Sequence, residues 1–208
     1  FNVESVEELL VIEELAGELG RTAPVALRIN PDVDPHTHRH ITTGKKGTKF
    51  GLDPSAAVKI LEEAKQMRCV RIAGLHMHIG SQIVDARPFG EAVERLAALA
   101  QTAHRMGHDI EYLNAGGGFG IQYETEEPPP IAAFAEQILP AVKECGCKLL
   151  LEPGRYIVGN AGILATCVEY VKRSGSKRFI ITDAAMNDLM RPTLYDAYHS
   201  IWPVSSPV

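Results

Sequence analysis

The chain has no surplus of basic residues. Its 21 Lys and Arg stand against 26 Asp and Glu, a formal net charge of −5. A nucleic acid or an anionic membrane surface calls for a basic face, so neither is an expected partner. Nor is there an apolar run of bilayer length. Phe1-Asn2-Val3-Glu4-Ser5 has neither the basic start nor the apolar core of a signal peptide. It also lacks an initiator Met, from which the expectation is that the chain begins mid-gene. Cysteine is sparse: Cys69, Cys145, Cys147 and Cys167. In a chain of 208 residues these read as reduced thiols of a cytoplasmic protein, not as a disulfide framework. Cys145-Gly146-Cys147 is too tightly spaced for the usual metal or redox pair.

What is present is ordinary for a globular protein, with 45% hydrophobic and 23% charged residues. Helix and strand patterns alternate. Ser5 and Glu8 form a capping box, and Leu9, Ile12, Leu15, Ala16 and Leu19 keep helical spacing up to Gly20. Residues 25–29 form a short apolar strand stopped by Asn30-Pro31. Asp53-Pro54 predicts a helix start, with the helix running to about Met67. A strand is expected over 70–79, a helix over 89–106, a strand over 110–113, a helix over 131–145 and a strand over 148–151.

Four strands separated by helices imply an α/β fold with parallel pairing and right-handed crossovers. A doubly wound sheet and a (βα)8 barrel both fit. The strand ends favour the barrel. Each ends in groups able to do chemistry: Arg28 and Asn30, then His76 and His78, then Gly116-Gly117-Gly118, then Glu152 and Arg155. A barrel gathers all its strand ends around one site; a doubly wound sheet concentrates chemistry at one switch point. Four strands are half a barrel. Beyond Arg155 the pattern changes. Residues 163–171 and 178–182 are rich in β-branched side chains, with a hairpin turn at Ser174-Gly175-Ser176. The expected division is therefore residues 1–160 as part of a TIM-like barrel and 161–208 as the start of a β-rich domain. The abrupt end at Val208 adds to the expectation that the chain is a fragment.

Four stretches can carry chemistry. Gly116-Gly117-Gly118-Phe119-Gly120 follows a strand, and successive glycines can turn their amides inward on a phosphate or simply make a tight turn. It is not a dinucleotide fingerprint, because Ile121 stands where the last glycine belongs; Gly44-Lys45-Lys46-Gly47-Thr48 is not a Walker A motif. In Gly74-Leu75-His76-Met77-His78-Ile79-Gly80-Ser81-Gln82, strand alternation puts both histidines on one face. They fit a metal pair without an evident third ligand, a satisfied core histidine, or an imidazole stacked on a cofactor ring with Ser81 donating to its phosphate. In Glu152-Pro153-Gly154-Arg155 the carboxylate can pair with a ring nitrogen and the guanidinium can fork a phosphate or carboxylate, or the two can form a rim ion pair. In the stretch from Asp188 to Tyr195, a turn or a Pro-interrupted helix would let Arg191 and Tyr195 face one way, as a clamp for an amino-acid substrate or as an ordinary surface loop.

Taken in order, these segments resemble the fold-type III pyridoxal-phosphate-dependent decarboxylases. The carrying residues are Arg28-Ile29-Asn30-Pro31, Lys49-Phe50-Gly51, the histidine and glycine stretches, Glu152-Pro153-Gly154-Arg155 and the region from Asp183 to His199. His78-Ile79-Gly80-Ser81-Gln82 and Met186-Asn187-Asp188-Leu189-Met190-Arg191-Pro192 point to the diaminopimelate branch, which makes lysine from meso-diaminopimelate with loss of carbon dioxide. Ornithine, arginine and carboxynorspermidine relatives are the alternatives, as is a non-catalytic carrier of the cofactor.

The resemblance implies pyridoxal 5'-phosphate as cofactor. His78 would stack on its ring, and Glu152 would pair with its nitrogen. Ser81 and Gly118 would contact its phosphate, Arg155 would sit at the phosphate or a substrate carboxylate, and Gly116, Gly117 and Gly154 would complete the cofactor site. Arg155, Arg191 and Tyr195 would bind substrate. The family's cofactor-bearing lysine lies on an early barrel strand, and no lysine here stands in that context. Its catalytic cysteine would lie beyond Val208, and none of the four cysteines takes that role. Phe1-Asn2-Val3-Glu4-Ser5 resembles the end of the fourth barrel strand, making the four strands the fifth to eighth. The full-length enzyme would be a cytoplasmic homodimer, and the 208 residues alone would be inactive.

Overall fold

The computed structural model describes residues 1–34 and 49–205. The Gly44-to-Thr48 stretch and Lys45 and Lys46, singled out above, lie outside the described residues.

Five parallel strands form one sheet in the order β1-β2-β3-β4-β5: β1 Asn2–Val3, β2 Ala23–Arg28, β3 Val70–His76, β4 Tyr112–Asn114 and β5 Lys148–Leu150. A helix precedes each strand after the first: α1 Val6–Glu18, α2 Pro54–Ala64, α3 Arg87–Arg105 and α4 Ile131–Cys145. Sequential order means that every crossover moves the same way across the sheet. With right-handed connections this puts the helices on one face. A doubly wound sheet would reverse direction at its switch point; this one does not, and that is the winding of a barrel segment.

Local chemistry explains the element ends. Ser5 Oγ accepts the Glu8 amide at 3.1 Å as the N-cap of α1. The Glu8 carboxylate reaches back one residue further than a capping box requires, to the Glu4 amide at 2.8 Å. Asp53 precedes Pro54 as expected, yet its side chain makes no cap bond. The helix ends at Ala64, short of Met67, with Lys65, Gln66 and Met67 bonded in tighter turns instead. Between the sheet and its helices lies a core that includes Leu27, Leu75, Leu113, Phe89 and Phe134. Phe89 stacks on Phe119 at 4.9 Å, and Phe134 meets both edge-on. This aromatic cluster pins α3 and α4 under the glycine loop that follows β4.

Several expectations are corrected. Strand β3 stops at His76 rather than at Ile79, so His78 lies in the following loop and strand alternation does not orient it. Gly154 and Arg155, expected at the end of the strand over 148–151, open a five-residue helix, α5 Gly154–Val158. The β-rich stretch begins at Val168: β6 Val168–Ser174 and β7 Lys177–Thr182 pair antiparallel around the expected turn. Pro192 sits in the first turn of α6 Arg191–Tyr195 and so starts that helix instead of interrupting one.

Candidate active site

Parallel strands deliver their C-terminal ends to one rim. From β2 comes Arg28, which pairs with Glu4 just after β1 and lies 5.1 Å over the Phe50 ring. From β3 come His76 and the loop carrying His78, Ser81 and Gln82. From β4 come Asn114 and the three glycines, and from β5 comes Glu152.

The glycine run is where these loops touch. A Cβ at Gly116 would strike the Met77 carbonyl, one at Gly117 the Glu152 carbonyl, and one at Gly118 the Gly80 carbonyl. Gly116 and Gly118 also take φ of +67° and +103°, a region that side chains disfavour. The tight turn is therefore required by close packing, whatever it binds. It also leaves backbone donors in order. The Gly116 amide donates to Asn114 Oδ1 at 2.9 Å, and the Gly117 amide donates to His78 Nδ1 at 3.2 Å. The Gly118 amide donates to none of the described residues.

His78 is thus held by its acceptor nitrogen, which leaves the proton of a neutral ring on Nε2. Burial lowers its pKa, and the Arg28 charge lowers it further, against the pull of Glu152. His76 lies deeper, 4% exposed, and neither ring nitrogen has a hydrogen-bond partner among the described residues. Its Nε2 lies 3.6 Å from Glu152 Oε1. The Glu152 side chain remains 46% exposed. It accepts from Asn114 Nδ2 at 2.8 Å and from Asn2 Nδ2 at 3.5 Å. All three contacts fall on Oε1.

A second group gathers guanidinium charge. Arg155 donates to Gln82 Oε1 at 3.3 Å. Gln82 also ties down the loop after β4, donating to the Ile121 carbonyl at 2.6 Å and accepting its amide at 3.1 Å. Arg155 and Arg191 each lie 5.8 Å from the Tyr123 ring, and Arg191 lies 5.7 Å from the Tyr195 ring. Burial lowers the Arg155 pKa, and the nearby Arg191 charge acts the same way. Two like charges on one ring repel unless an anion sits between or beside them.

The expected residues therefore form one neighbourhood of two parts. His78, the glycines and Glu152 share the strand-end rim; Arg155 and Arg191 share the Tyr123 ring, and Arg191 also lies against Tyr195. Ser81 adjoins Gly80, whose carbonyl faces Gly118. Gly154 is exposed at the start of α5. Sequence reasoning overlooked Tyr123, and it assigned no task to Asn114 or Gln82. The signal available for Asn114 was its place at a strand end directly before three glycines. Nothing in the sequence marks Tyr123.

The available groups suit a phosphorylated heteroaromatic ring. The rim has a cradle with no room for side chains, an unclaimed amide, a carboxylate fixed by one oxygen and a neutral imidazole. A family model for the pyridoxal-binding domain of pyridoxal-dependent decarboxylases matches residues 1–159. The chain belongs to this family. The cofactor of pyridoxal-dependent decarboxylases is pyridoxal phosphate. Among members of the family, the chain is 51% identical over 210 residues to the diaminopimelate decarboxylase of Aquifex aeolicus, covering 99% of this chain and 49% of that protein. It is 48% identical to that of Zymomonas mobilis, again covering 99% of this chain and 49% of the relative. The crystal structure of Helicobacter pylori diaminopimelate decarboxylase complexed with L-lysine superposes with a TM-score of 0.94 at 40% identity, covering 99% of this chain and 52% of that one. The chain spans about half the length of the curated relatives it matches. These pyridoxal-dependent relatives share the α/β fold with a parallel sheet. No helix among the described residues is long and apolar enough to cross a membrane.

Proposed function

We propose that the full-length protein removes one carboxylate of meso-diaminopimelate to give L-lysine, using pyridoxal 5'-phosphate. The observation that carries this reading is the 51% identity to a diaminopimelate decarboxylase along 99% of the chain, together with a rim whose groups fit the cofactor. On this reading residues 1–160 are the fifth to eighth strands of a (βα)8 barrel with their helices, β1 being the end of the fourth. Residues 161–208 begin an all-β domain. The working enzyme is a cytoplasmic homodimer.

The reaction breaks the bond between the α-carbon and its carboxylate. Carbon dioxide leaves, and a proton replaces it. When bound, pyridoxal phosphate supplies an electron-poor ring that takes up the electron pair left behind. The chain's own groups then have separate tasks. Glu152, ionised, holds a proton on the ring nitrogen by charge. His78, its Nδ1 anchored by the Gly117 amide, would stack on the cofactor ring. Ser81 and Gly118 would contact the phosphate, Gly116, Gly117 and Gly154 would complete the cofactor site, and Arg155 would sit at the phosphate or a substrate carboxylate. Arg155, Arg191 and Tyr195 would bind the substrate, the two guanidinium groups lying against the Tyr123 ring and Arg191 also against Tyr195.

The test is turnover by the full-length protein. Purified with cofactor and given meso-diaminopimelate, it releases carbon dioxide and L-lysine in equal amounts. L-lysine, L-ornithine, L-arginine and carboxynorspermidine, offered separately, give at least tenfold lower kcat/KM. Preference for any of these four overturns the substrate assignment. A protein that binds the cofactor and turns over none of the five is a non-catalytic carrier.

A further inference from the structure

One buried group has no task in this scheme. His76 is 4% exposed, and neither of its nitrogens finds a hydrogen-bond partner among the described residues. A buried polar side chain left so is costly, and its presence calls for a reason. Its surroundings supply one. His76 is the last residue of β3 and is held in the ladder on both sides, beside Arg28 of β2 and Asn114 of β4. From that fixed point Nε2 lies 3.6 Å from Glu152 Oε1, just beyond hydrogen-bond length. The same oxygen already receives Asn114 Nδ2 at 2.8 Å.

We propose that His76 is a positioning residue: its Nε2–H donates to Glu152 Oε1 and, with Asn114, holds the carboxylate so that Oε2 faces the cofactor's ring nitrogen. The inference rests on the reading of Glu152 as partner of that nitrogen. Glu152 follows β5 at the edge of the sheet, and its side chain is 46% exposed. A half-exposed carboxylate turns freely unless something fixes it. Two donors on one oxygen do so and leave the other oxygen's lone pairs for the ring. The same donors stabilise the ionised form.

The role requires His76 to be a neutral donor. The groups that face it are Glu152 after β5, Arg28 on β2, His78 after β3 and Glu4 after β1. Burial and the two nearby cationic or imidazole neighbours outweigh the carboxylates, pushing the His76 pKa down to about 4. At neutral pH the ring then carries a single proton. A neutral histidine suits the task better than a cationic one. An imidazolium would neutralise the Glu152 charge that keeps the ring nitrogen protonated, whereas a neutral donor orients the carboxylate and preserves that charge.

The test uses the full-length, cofactor-loaded protein and reads nitrogen, not activity. With ¹⁵N-histidine, the expected result is one imidazole that stays neutral down to about pH 5 with its proton on Nε2, and whose signal shifts in Glu152→Gln. A proton on Nδ1 overturns the proposal without any change at His76. With cofactor labelled at its ring nitrogen, His76→Leu lowers the pH at which that nitrogen loses its proton by about one unit, the scale of one charge-assisted hydrogen bond. His76→Gln, whose amide can reach the Nε2 position, restores most of the shift. If His76→Leu leaves the nitrogen as in the wild type while Glu152→Gln deprotonates it, His76 does not position Glu152. The same holds if His76→Gln and His76→Leu behave alike. If Glu152→Gln leaves the nitrogen protonated, the reading of Glu152 fails, and the proposal falls with it.

Discussion

At the scale of single residues, the site pairs groups whose tasks can be separated by substitution. Glu152 touches Asn114, Asn2 and His76 through one oxygen. Glu152→Gln keeps the shape and the Asn114 hydrogen bond while removing the charge. In the full-length enzyme it is expected to lower kcat on the order of a hundredfold, as when one electrostatic partner is removed from a reacting centre. Cofactor affinity changes little, because the phosphate cradle is untouched; steady-state kinetics and a cofactor titration read the two effects. His76 makes a prediction about stability. Its folded pKa of about 4 lies below the ordinary 6.5, so the unfolded chain binds the proton first as pH falls. Stability from this group is complete above pH 6.5, declines between 6.5 and about 4, and levels off below. The two values bound the loss at about 3 kcal/mol. Urea unfolding of the full-length apoprotein across that window should show the decline. His76→Gln, which has nothing to titrate there, should flatten its share of the curve.

At the scale of elements, helices and central strands were legible because their signals are local. Ser5 with Glu8, Pro54 and the apolar spacing of 131–145 mark helices that form where expected. The four strands between them follow from apolar runs bounded by turn residues. What stayed hidden depends on contacts between distant loops. No local signal tells that β3 ends at His76, because Met77 and Ile79 continue the apolar pattern while their neighbours turn toward the glycine loop. Tyr123 gains its place only when Arg155 and Arg191, 32 and 68 residues further along the chain, arrive on its ring. The glycine run was open to two readings, and packing decides that a turn is needed whether or not phosphate binds. Gly117→Ala drives a methyl into the Glu152 carbonyl. The expected cost is about 1–3 kcal/mol of stability, as for overpacking elsewhere. Because the clash is with the backbone of Glu152, cofactor affinity should fall too, by tenfold or more. Gly146→Ala, with open space around it, should cost no more than its left-handed φ of +71° imposes and leave cofactor binding alone. Denaturation and cofactor titration of the two variants distinguish site packing from general strain.

At the scale of the whole molecule, the 208 residues leave much apolar surface without cover. Strand β5 lies at the sheet edge, with Leu150 and Leu151 exposed. At the other edge, β1 has only two residues. The hairpin of β6 and β7 exposes Tyr170, Val171, Phe179 and Ile180. A two-stranded hairpin is marginal by itself, and an unpaired strand edge invites pairing with another chain. The diaminopimelate decarboxylases it matches are about twice as long. The last prediction is that the isolated 208-residue chain associates through its edges and does not decarboxylate diaminopimelate. Two arguments lead there independently. An open sheet of five strands cannot enclose the reacting bond and exclude water from it. A covalent link to the cofactor also needs a lysine amine held at its aldehyde carbon. Lys49 follows β2 in the chain, and its Nζ lies 4.9 Å over the Phe50 ring, which Arg28 also faces. Size-exclusion chromatography should find dimers or larger species whose proportion grows with concentration. Pyridoxal phosphate followed by borohydride should label several lysines substoichiometrically, as mass spectrometry would read. One lysine labelled in full, with carbon dioxide released from diaminopimelate, would overturn the prediction. It would mean that these strand ends build the site unaided.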